Sequence, residues 1–241
     1  MLRSAVYSAV AGTLFLTAAP ALPVSAADIV GKWGFGVQSG QVPDLSGRRH
    51  PLKLSGSWAR ARGRGGSPAV RFRNTSMAAG KDRSVFDPGR RQFALAIAFR
   101  APSGMAVFDG TDSPNLVQKG RYGSRGQWKL QLIDRDGGLV QCRVKGSAGA
   151  VMITSNVGRV ASDRKWHRAI CVRGDREVAL VVDGRRVVTQ ERVGRVASDA
   201  PLTVANQSAT GDSDQFRGLV DEMVLARGSG SEGLARRTIR A

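Results

Sequence analysis

The sequence predicts an all-β protein built as a sandwich of two antiparallel sheets. Three observations lead to this class. Turn signals recur about every ten residues, short runs rich in β-branched residues lie between them, and Asp183-Gly184 separates two such runs at 178–182 and 186–189. The Asp-Gly pair tolerates the positive φ angles of a two-residue hairpin. The valines around it suit a pleated surface better than an exposed helix.

The first 27 residues have the parts of a secretory signal peptide. An arginine precedes an apolar core, and Ser25-Ala26-Ala27 form a small-residue cleavage site. The apolar core is too short and interrupted to span a bilayer, and no other segment approaches the roughly 20 apolar residues of a membrane helix. We therefore expect a secreted, extracellular protein, with one β domain at 28–227 and a flexible basic tail at 228–241.

The predicted strands follow one another along the whole domain. The segment 93–100 alternates poorly and suits either a strand buried on both faces or a short helix, and its length and the flanking Gly89 and Pro102 favour the strand. Composition predicts a loop for the arginine- and glycine-rich tract 60–68. The predicted strands are 29–37, 69–72, 93–100, 106–108, 116–117, 127–133, 139–144, 151–154, 168–172, 178–182, 186–189, 202–205 and 219–225.

The two cysteines, Cys142 and Cys171, lie in separate predicted strands. In an exported chain an even number of cysteines predicts a disulfide. Closing a loop of about 30 residues contributes roughly 3–4 kcal/mol on the chain-entropy model. Two isolated cysteines and two distant histidines do not provide the four ligands of a tetrahedral metal site.

The formal charge of +18 is unevenly distributed. Between Asp44 and Asp82 the chain has nine basic residues and no acid. Such a patch attracts polyanions, and an exported protein meets anionic cell-surface polymers or acidic polysaccharides more often than nucleic acid. We therefore expect no specific nucleic-acid partner. The alternative is that these charges only solvate the surface.

Six sequence segments, taken in chain order, resemble those of a known family. They are Asp44-Leu-Ser-Gly47 with His50-Pro-Leu-Lys-Leu-Ser-Gly56, Phe93 to Arg100, Leu116-Val-Gln-Lys-Gly120, Trp166-His167, Val181-Val-Asp-Gly184, and Phe216-Arg-Gly-Leu-Val-Asp-Glu-Met-Val-Leu225. They are similar to the laminin G-like, or concanavalin A-like, lectin domains that bacteria export, and they cover most of the chain after residue 27. The resemblance implies a jelly-roll sandwich with variable rim loops and a concave sheet face that often binds glycans.

The resemblance also implies calcium ligands at Asp44 and Asp221, while Asp212 and Asp214 form a second acidic loop. Calcium needs six to eight oxygen ligands, more than one loop supplies. The alternative is that these acids cap turns or pair with arginines.

Two segments combine aromatic rings with guanidinium groups. One contains Trp58 and Arg60, and the other contains Arg121, Tyr122 and Arg125. Sugars stack on aromatic faces, and anionic polymers pair with guanidinium groups. These five residues are the predicted ligand-binding residues, with the alternative that Trp58 packs inside the sandwich.

The sequence offers little for catalysis, and we expect a non-enzymatic binding module. A glycoside hydrolase needs two carboxylates on one face of a cleft. Asp221 and Glu222 are adjacent, so strand alternation predicts that they lie on opposite faces. Neither His50 nor His167 has a nucleophile context, and no Gly-x-Ser-x-Gly motif occurs. The alternatives are a hydrolase or lyase of the same fold and a protein-binding adhesion module.

Overall fold

The computed structural model describes residues 26–102, 108, 113–208 and 214–239. These residues form two antiparallel eight-stranded sheets that pack face to face. The predicted fold class is confirmed. In the same residues no helix has both the length and the apolar character needed to cross a bilayer. Apart from its last two residues, the predicted signal peptide lies outside the described part of the chain.

The strands of sheet one are β1 Asp28–Gly34, β4 Trp58–Arg62, β5 Pro68–Phe72, β7 Phe93–Arg100, β12 His167–Arg173, β13 Val178–Val182, β14 Arg185–Thr189 and β16 Gly218–Arg227. They lie in the order β14-β13-β12-β7-β16-β5-β4, and β1 also pairs with β16.

The strands of sheet two are β2 Gln41–Val42, β3 Leu52–Ser55, β6 Met77–Gly80, β8 Asn115–Lys119, β9 Gln127–Ile133, β10 Leu139–Gly146, β11 Gly149–Thr154 and β15 Leu202–Val204. They lie in the order β11-β10-β9-β8-β15-β6-β3-β2. Two single-turn 3-10 helices, Arg64–Gly66 and Ser84–Phe86, lie in the connections.

The core lies between the sheets and contains large aromatic side chains from both. Phe93 of sheet one contacts Trp128 of sheet two, with ring centroids 6.4 Å apart. Close by, the predicted disulfide is confirmed: Cys142 of β10 is bonded to Cys171 of β12, with 5.5 Å between their Cα atoms. The bond therefore joins the two sheets directly across the core.

Three strands, β7, β9 and β13, have the bounds that the sequence predicts. The loop prediction for 60–68 is wrong at both ends. Residues 60–62 belong to β4, where Arg60 pairs with Val70, and Pro68 is the first residue of β5. The edge strand β4 has few buried side chains. It is held mainly by backbone hydrogen bonds, which composition does not reveal. The short strands β2, β3 and β6 also lack a strong local pattern, and the predicted strand 106–108 lies outside the described residues except for Phe108.

The C-terminal segment differs from the predicted flexible tail. Ser231–Thr238 form a helix, α1. Ala235 and the following Ile239 are buried in an apolar cluster on the outer side of sheet one, together with Ala96 and Val224. Small side chains on that side of β7 leave room for the helix to approach. Its binding to the sheet could not be inferred from the glycine- and arginine-rich composition.

Candidate functional site

The candidate site is the outer face of sheet two, which we call the polar face. Along β9, Trp128, Leu130 and Leu132 point into the core. Strand alternation therefore directs the residues between and beside them to the outer side. These residues, with their partners on neighbouring strands, form three cross-strand rows: Gln118, Lys129 and Arg143; Asn115, Gln131, Gln141 and Thr154; and Gln127 and Lys145.

Hydrogen bonds between side chains order the polar face. Gln131 Nε2 donates to Gln141 Oε1 at 2.7 Å, and Gln141 Nε2 donates to Thr154 Oγ1 at 3.1 Å. In the neighbouring row Arg143 donates to Gln127 Oε1, and Gln127 Nε2 donates to the Gly120 carbonyl at 3.1 Å. The amide and guanidinium groups are thus held in place before any ligand arrives.

Three cations lie in this face, and two of them are less than a tenth exposed. These two are Lys129 and Arg143. Lys129 Nζ lies 3.3 Å from Asp214 Oδ2. Burial lowers the pKa of Lys129, and the charge of Arg143 adds a smaller effect in the same direction. Asp214 raises the pKa, but the net shift is downward. A partly desolvated ammonium gains more from a new hydrogen-bond acceptor than a solvated one does.

Some buried polar atoms on this face have no hydrogen-bond partner within the described part of the chain. They are Nδ2 and Oδ1 of Asn115 and Oγ1 of Thr203. Asn115 is opposite Gln131, and Thr203 is opposite Gln118, so both belong to the polar face. Each such group costs about 1–3 kcal/mol when it is buried without a partner. Hydroxyl groups both donate and accept hydrogen bonds, which is what this set of side chains requires.

The predicted segment at 121–125 lies at the edge of the polar face. The Arg143 guanidinium stacks 4.6 Å from the centre of the Tyr122 ring, and Lys145 Nζ donates to the Tyr122 carbonyl at 3.3 Å. Tyr122 is 79% exposed, and Arg121 and Arg125 are exposed beside it. An aromatic surface thus adjoins the ordered polar side chains.

The other predicted pair does not join this site. Trp58 and Arg60 lie on β4, at the edge of the opposite sheet. Trp58 is half-buried against the core, as the alternative interpretation expected, and Arg60 donates to the Gln38 carbonyl. The five predicted ligand-binding residues therefore do not form one site.

Asp44, one of the two candidate calcium ligands, closes its own turn. Its Oδ1 accepts hydrogen bonds from the backbone N–H groups of Lys32 at 3.1 Å and Ser46 at 2.9 Å, and its Oδ2 accepts from His50 at 3.0 Å. Burial raises the pKa of Asp44, but the hydrogen bonds from Ser46, Lys32 and His50 together outweigh it and lower the pKa.

Asp221, the other candidate, occupies a β-bulge where β16 stops pairing with β5 and begins to pair with β1. Its Oδ2 accepts hydrogen bonds from the Arg64 N–H at 2.8 Å and from Ser67 Oγ at 2.7 Å. The bulge breaks the alternation, and the prediction that Asp221 and Glu222 lie on opposite faces is wrong: both line a cleft of about 170 Å³.

That cleft fits neither calcium nor a sugar. Glu222 lies 3.2 Å from Lys32 Nζ, and Asp221 is already hydrogen-bonded by two donors. Across the described ranges no three His, Cys, Asp or Glu residues cluster as metal ligands would. Ligand pockets are typically about 300–1,000 Å³, well above this volume. The predicted acidic residue Asp212 lies outside the described residues.

The polar-face residues on β9 and β10 were missed by the sequence analysis, although a signal for them exists. Gln127-Trp-Lys-Leu-Gln131 and Gln141-Cys-Arg-Val-Lys145 both alternate polar and apolar residues. The burial of the polar half depends on neighbouring strands and has no local signal.

The laminin G family model described as the concanavalin A-like lectin/glucanases superfamily matches residues 102–229, just over half of the chain. A comparison with curated proteins finds no significant match. Among solved structures, the chain is similar to the binding domain of Paraclostridial Mosquitocidal Protein 1, with a TM-score of 0.68 and 17% identity, covering 87% of this chain and 51% of that one.

Two further structures are similar. One is botulinum neurotoxin type C, whose cell entry depends on interaction with two ganglioside molecules (TM-score 0.65, 10% identity, covering 88% of this chain and 52% of that one). The other is domain 4 of AbnA, an extracellular arabinanase from Geobacillus stearothermophilus, in complex with arabinotriose (TM-score 0.61, 15% identity, covering 88% of this chain and 100% of that one). The chain spans about half of each toxin chain and all of the arabinanase domain, and at these identities the likeness shows the fold.

Proposed function

Because the chain belongs to the concanavalin A-like lectin/glucanases superfamily, we propose that it is a secreted, non-enzymatic module that binds carbohydrate through the polar face of sheet two. The observation that carries this proposal is the ordered set of amide, ammonium and guanidinium groups beside the exposed ring of Tyr122. Amide and cationic side chains hydrogen-bond sugar hydroxyls, and the ring offers a stacking surface.

The similar structures support a carbohydrate ligand. One of them holds arabinotriose, and another belongs to a toxin that interacts with gangliosides. Secretion is supported by the signal-peptide pattern at the N-terminus and by the disulfide between Cys142 and Cys171. Disulfides persist in oxidising compartments outside the cytosol.

Composition favours binding over hydrolysis at this face. No Asp or Glu occurs in any described strand of sheet two. Two suitably spaced carboxylates are the requirement of glycoside hydrolysis, and Asp214 beside Lys129 is one carboxylate only. A reducing-sugar signal from a polysaccharide incubated with the purified protein would contradict this part of the proposal.

Glycan-array binding followed by calorimetry with the best oligosaccharide tests the proposal. Tyr122→Ala removes the stacking surface from an exposed position and should weaken binding by about tenfold, which corresponds to about 1.4 kcal/mol. Leu45→Ala, another exposed apolar position at 54% exposure and outside the polar face, is the matched control. Equal affinity of the Tyr122→Ala variant and the wild type would place the site elsewhere. Chelation of calcium should leave binding unchanged.

A further inference from the structure

A second surface, on the outer side of sheet one, is lined by arginines. We call it the arginine cleft. One part, of about 800 Å³, is lined by Arg71, Arg73 and Arg217 together with uncharged residues. The adjoining part, of about 270 Å³, is lined by Arg71, Arg100 and Arg164. Arg71 belongs to both parts, so the two parts are contiguous.

Strand register places these arginines side by side. Arg71 of β5 and Arg100 of β7 both pair with Leu219 of β16, one on each side. Paired residues point to the same face of a sheet, and adjacent strands are about 4.8 Å apart. The two arginines are therefore on one face with their backbones about 10 Å apart. Arg73 and Arg217, just beyond the ends of β5 and β16, line the same cleft.

Neighbouring residues shape the cleft and hold its arginines. The Arg100 guanidinium lies 5.5 Å from the centre of the Trp166 ring, a cation–π contact. Arg217 Nε donates to Asn74 Oδ1. Gly218 lines both parts, and a Cβ atom there would lie 2.3 Å from the Phe216 ring and 2.8 Å from the Arg100 carbonyl. A larger residue at 218 cannot fit without moving the floor of the cleft.

Four arginines of the cleft have no acidic partner among the described residues. None of the described residues lining either part is acidic. Within the described ranges the ion pairs involve none of Arg71, Arg73, Arg100 and Arg164. Like charges on neighbouring strands of one face are destabilising. An anion bound between them would remove that repulsion.

We propose that the arginine cleft binds a linear polymer carrying repeated sulfate or phosphate groups. Its five arginines, distributed over two contiguous parts, suit several anions in series rather than one small ion. A carboxylate has two oxygens, enough for one guanidinium fork, whereas a sulfate or phosphate monoester presents three and bridges two arginines. Polyphosphate has two unshared oxygens on each internal unit, but its units follow one another directly, so that neighbouring units bridge two arginines. This site lies on the sheet opposite the polar face and does not depend on the proposed carbohydrate site.

Fluorescence-anisotropy titrations of the full protein test the proposal, with labelled heparin-derived oligosaccharide and inorganic polyphosphate as separate arms. A carboxylate polymer, polygalacturonate, is the third arm. With about four anion contacts, raising salt from about 50 to about 200 mM should weaken binding about 100-fold. Tighter binding of the heparin-derived oligosaccharide would identify a sulfated glycan as the ligand. Tighter binding of polyphosphate would identify a phosphate polymer. Either outcome supports the site.

The deciding variant is Arg71→Glu/Arg73→Glu, at two exposed positions. It should lose about tenfold or more in affinity for the tighter-binding polymer while retaining the wild-type melting temperature. Arg135→Glu/Arg192→Glu makes the same change in net charge at exposed positions outside the cleft. It should stay within about threefold of the wild type, since net charge acts only through the long-range field.

Three results would overturn the proposal. Equal losses in both charge-reversal variants would mean that net charge alone drives binding. Polygalacturonate binding as tightly as the sulfated and phosphorylated arms would contradict the ligand class, and so would double-stranded DNA binding more tightly than either. If the Glu variant unfolds, Arg71→Gln/Arg73→Gln removes the same charges more conservatively, and unchanged affinity in that variant would equally refute the site.

Discussion

The buried imidazole of His167 should make the stability of the sandwich depend on pH. Its Nδ1 lies 2.7 Å from Asp183 Oδ2, and its Nε2 lies 2.9 Å from Asp163 Oδ1. Burial alone lowers the pKa of His167, but the hydrogen bonds and charges of Asp183 and Asp163 outweigh it and raise the pKa. Burial raises the pKa of each aspartate, and its hydrogen bonds with the imidazole and with backbone N–H groups lower it overall.

The raised pKa of His167 and the lowered pKa values of the two aspartates define a pH window. A histidine whose pKa is raised by folding contributes stability that is complete below its unfolded pKa, about 6.5, and is lost as pH rises through the folded pKa. The aspartates, whose pKa values are lowered by folding, contribute stability above their unfolded pKa of about 3.9, which is lost as pH falls through the folded values. All three contributions are present together between about pH 4 and pH 6.5.

The substitution His167→Phe tests this account. Phenylalanine fills the space beside Phe99, whose ring centroid lies 5.8 Å from the imidazole, but it donates nothing to the two carboxylates. Hydrogen bonds to charged groups contribute about 1.5–3 kcal/mol each. Asp163 and Asp183 are 24% and 36% exposed and keep backbone donors, so solvent compensates part of the loss. We expect a loss of about 2–3 kcal/mol at pH 5.5.

Urea denaturation at fixed pH values from 5 to 9 measures the effect. The difference in unfolding free energy between wild type and variant should shrink as pH rises, because the wild-type imidazole loses its charge. Asp183→Asn, which removes one carboxylate, should also flatten the pH dependence of the wild-type protein. A wild-type-to-variant difference that stays constant across the range would refute the reasoning.

Two further changes test the core. Replacing both cysteines, Cys142→Ala/Cys171→Ala, should lower the unfolding free energy by about 3 kcal/mol, because a cross-link between the sheets that closes a sequence separation of 29 residues is lost. The wild type under strong reductant should unfold at the same urea concentration as this variant, and a large discrepancy would contradict the attribution. Lys119→Met should cost about 2–4 kcal/mol, since the fully buried ammonium lies 2.6 Å from Asp82 and 3.2 Å from Asp87, donates to the Ala200 carbonyl at 3.0 Å, and methionine replaces none of these contacts. Urea denaturation measures the loss, and a cost below about 1 kcal/mol, typical of an exposed ion pair, would count against this account.

Much of the fold could be predicted because its signals are local. The alternation in β9 and the Asp183-Gly184 turn each involve neighbouring residues only. The disulfide followed from the number of cysteines and the predicted compartment, although its position across the two sheets did not. The helix at Ser231–Thr238 escaped prediction because its stability comes from packing on β7, far away in sequence.

The candidate sites depended on contacts between distant segments. Asp221 and Glu222 line one cleft because β16 changes partners at that point, and no pattern within β16 shows this. The predicted residues Tyr122 and Trp58 have the same aromatic character in sequence, yet only Tyr122 adjoins the polar face.

The sequence by itself determined that this chain forms two layers of antiparallel strands, because alternation and turn chemistry specify which side of each strand is apolar. Only the tertiary structure decided which polar sides adjoin. Arg71 and Arg100 lie 29 positions apart in the chain and share a row only through Leu219. A strand's own residues determine its two faces, whereas its neighbours and their register are set by the free energy of packing the whole sandwich.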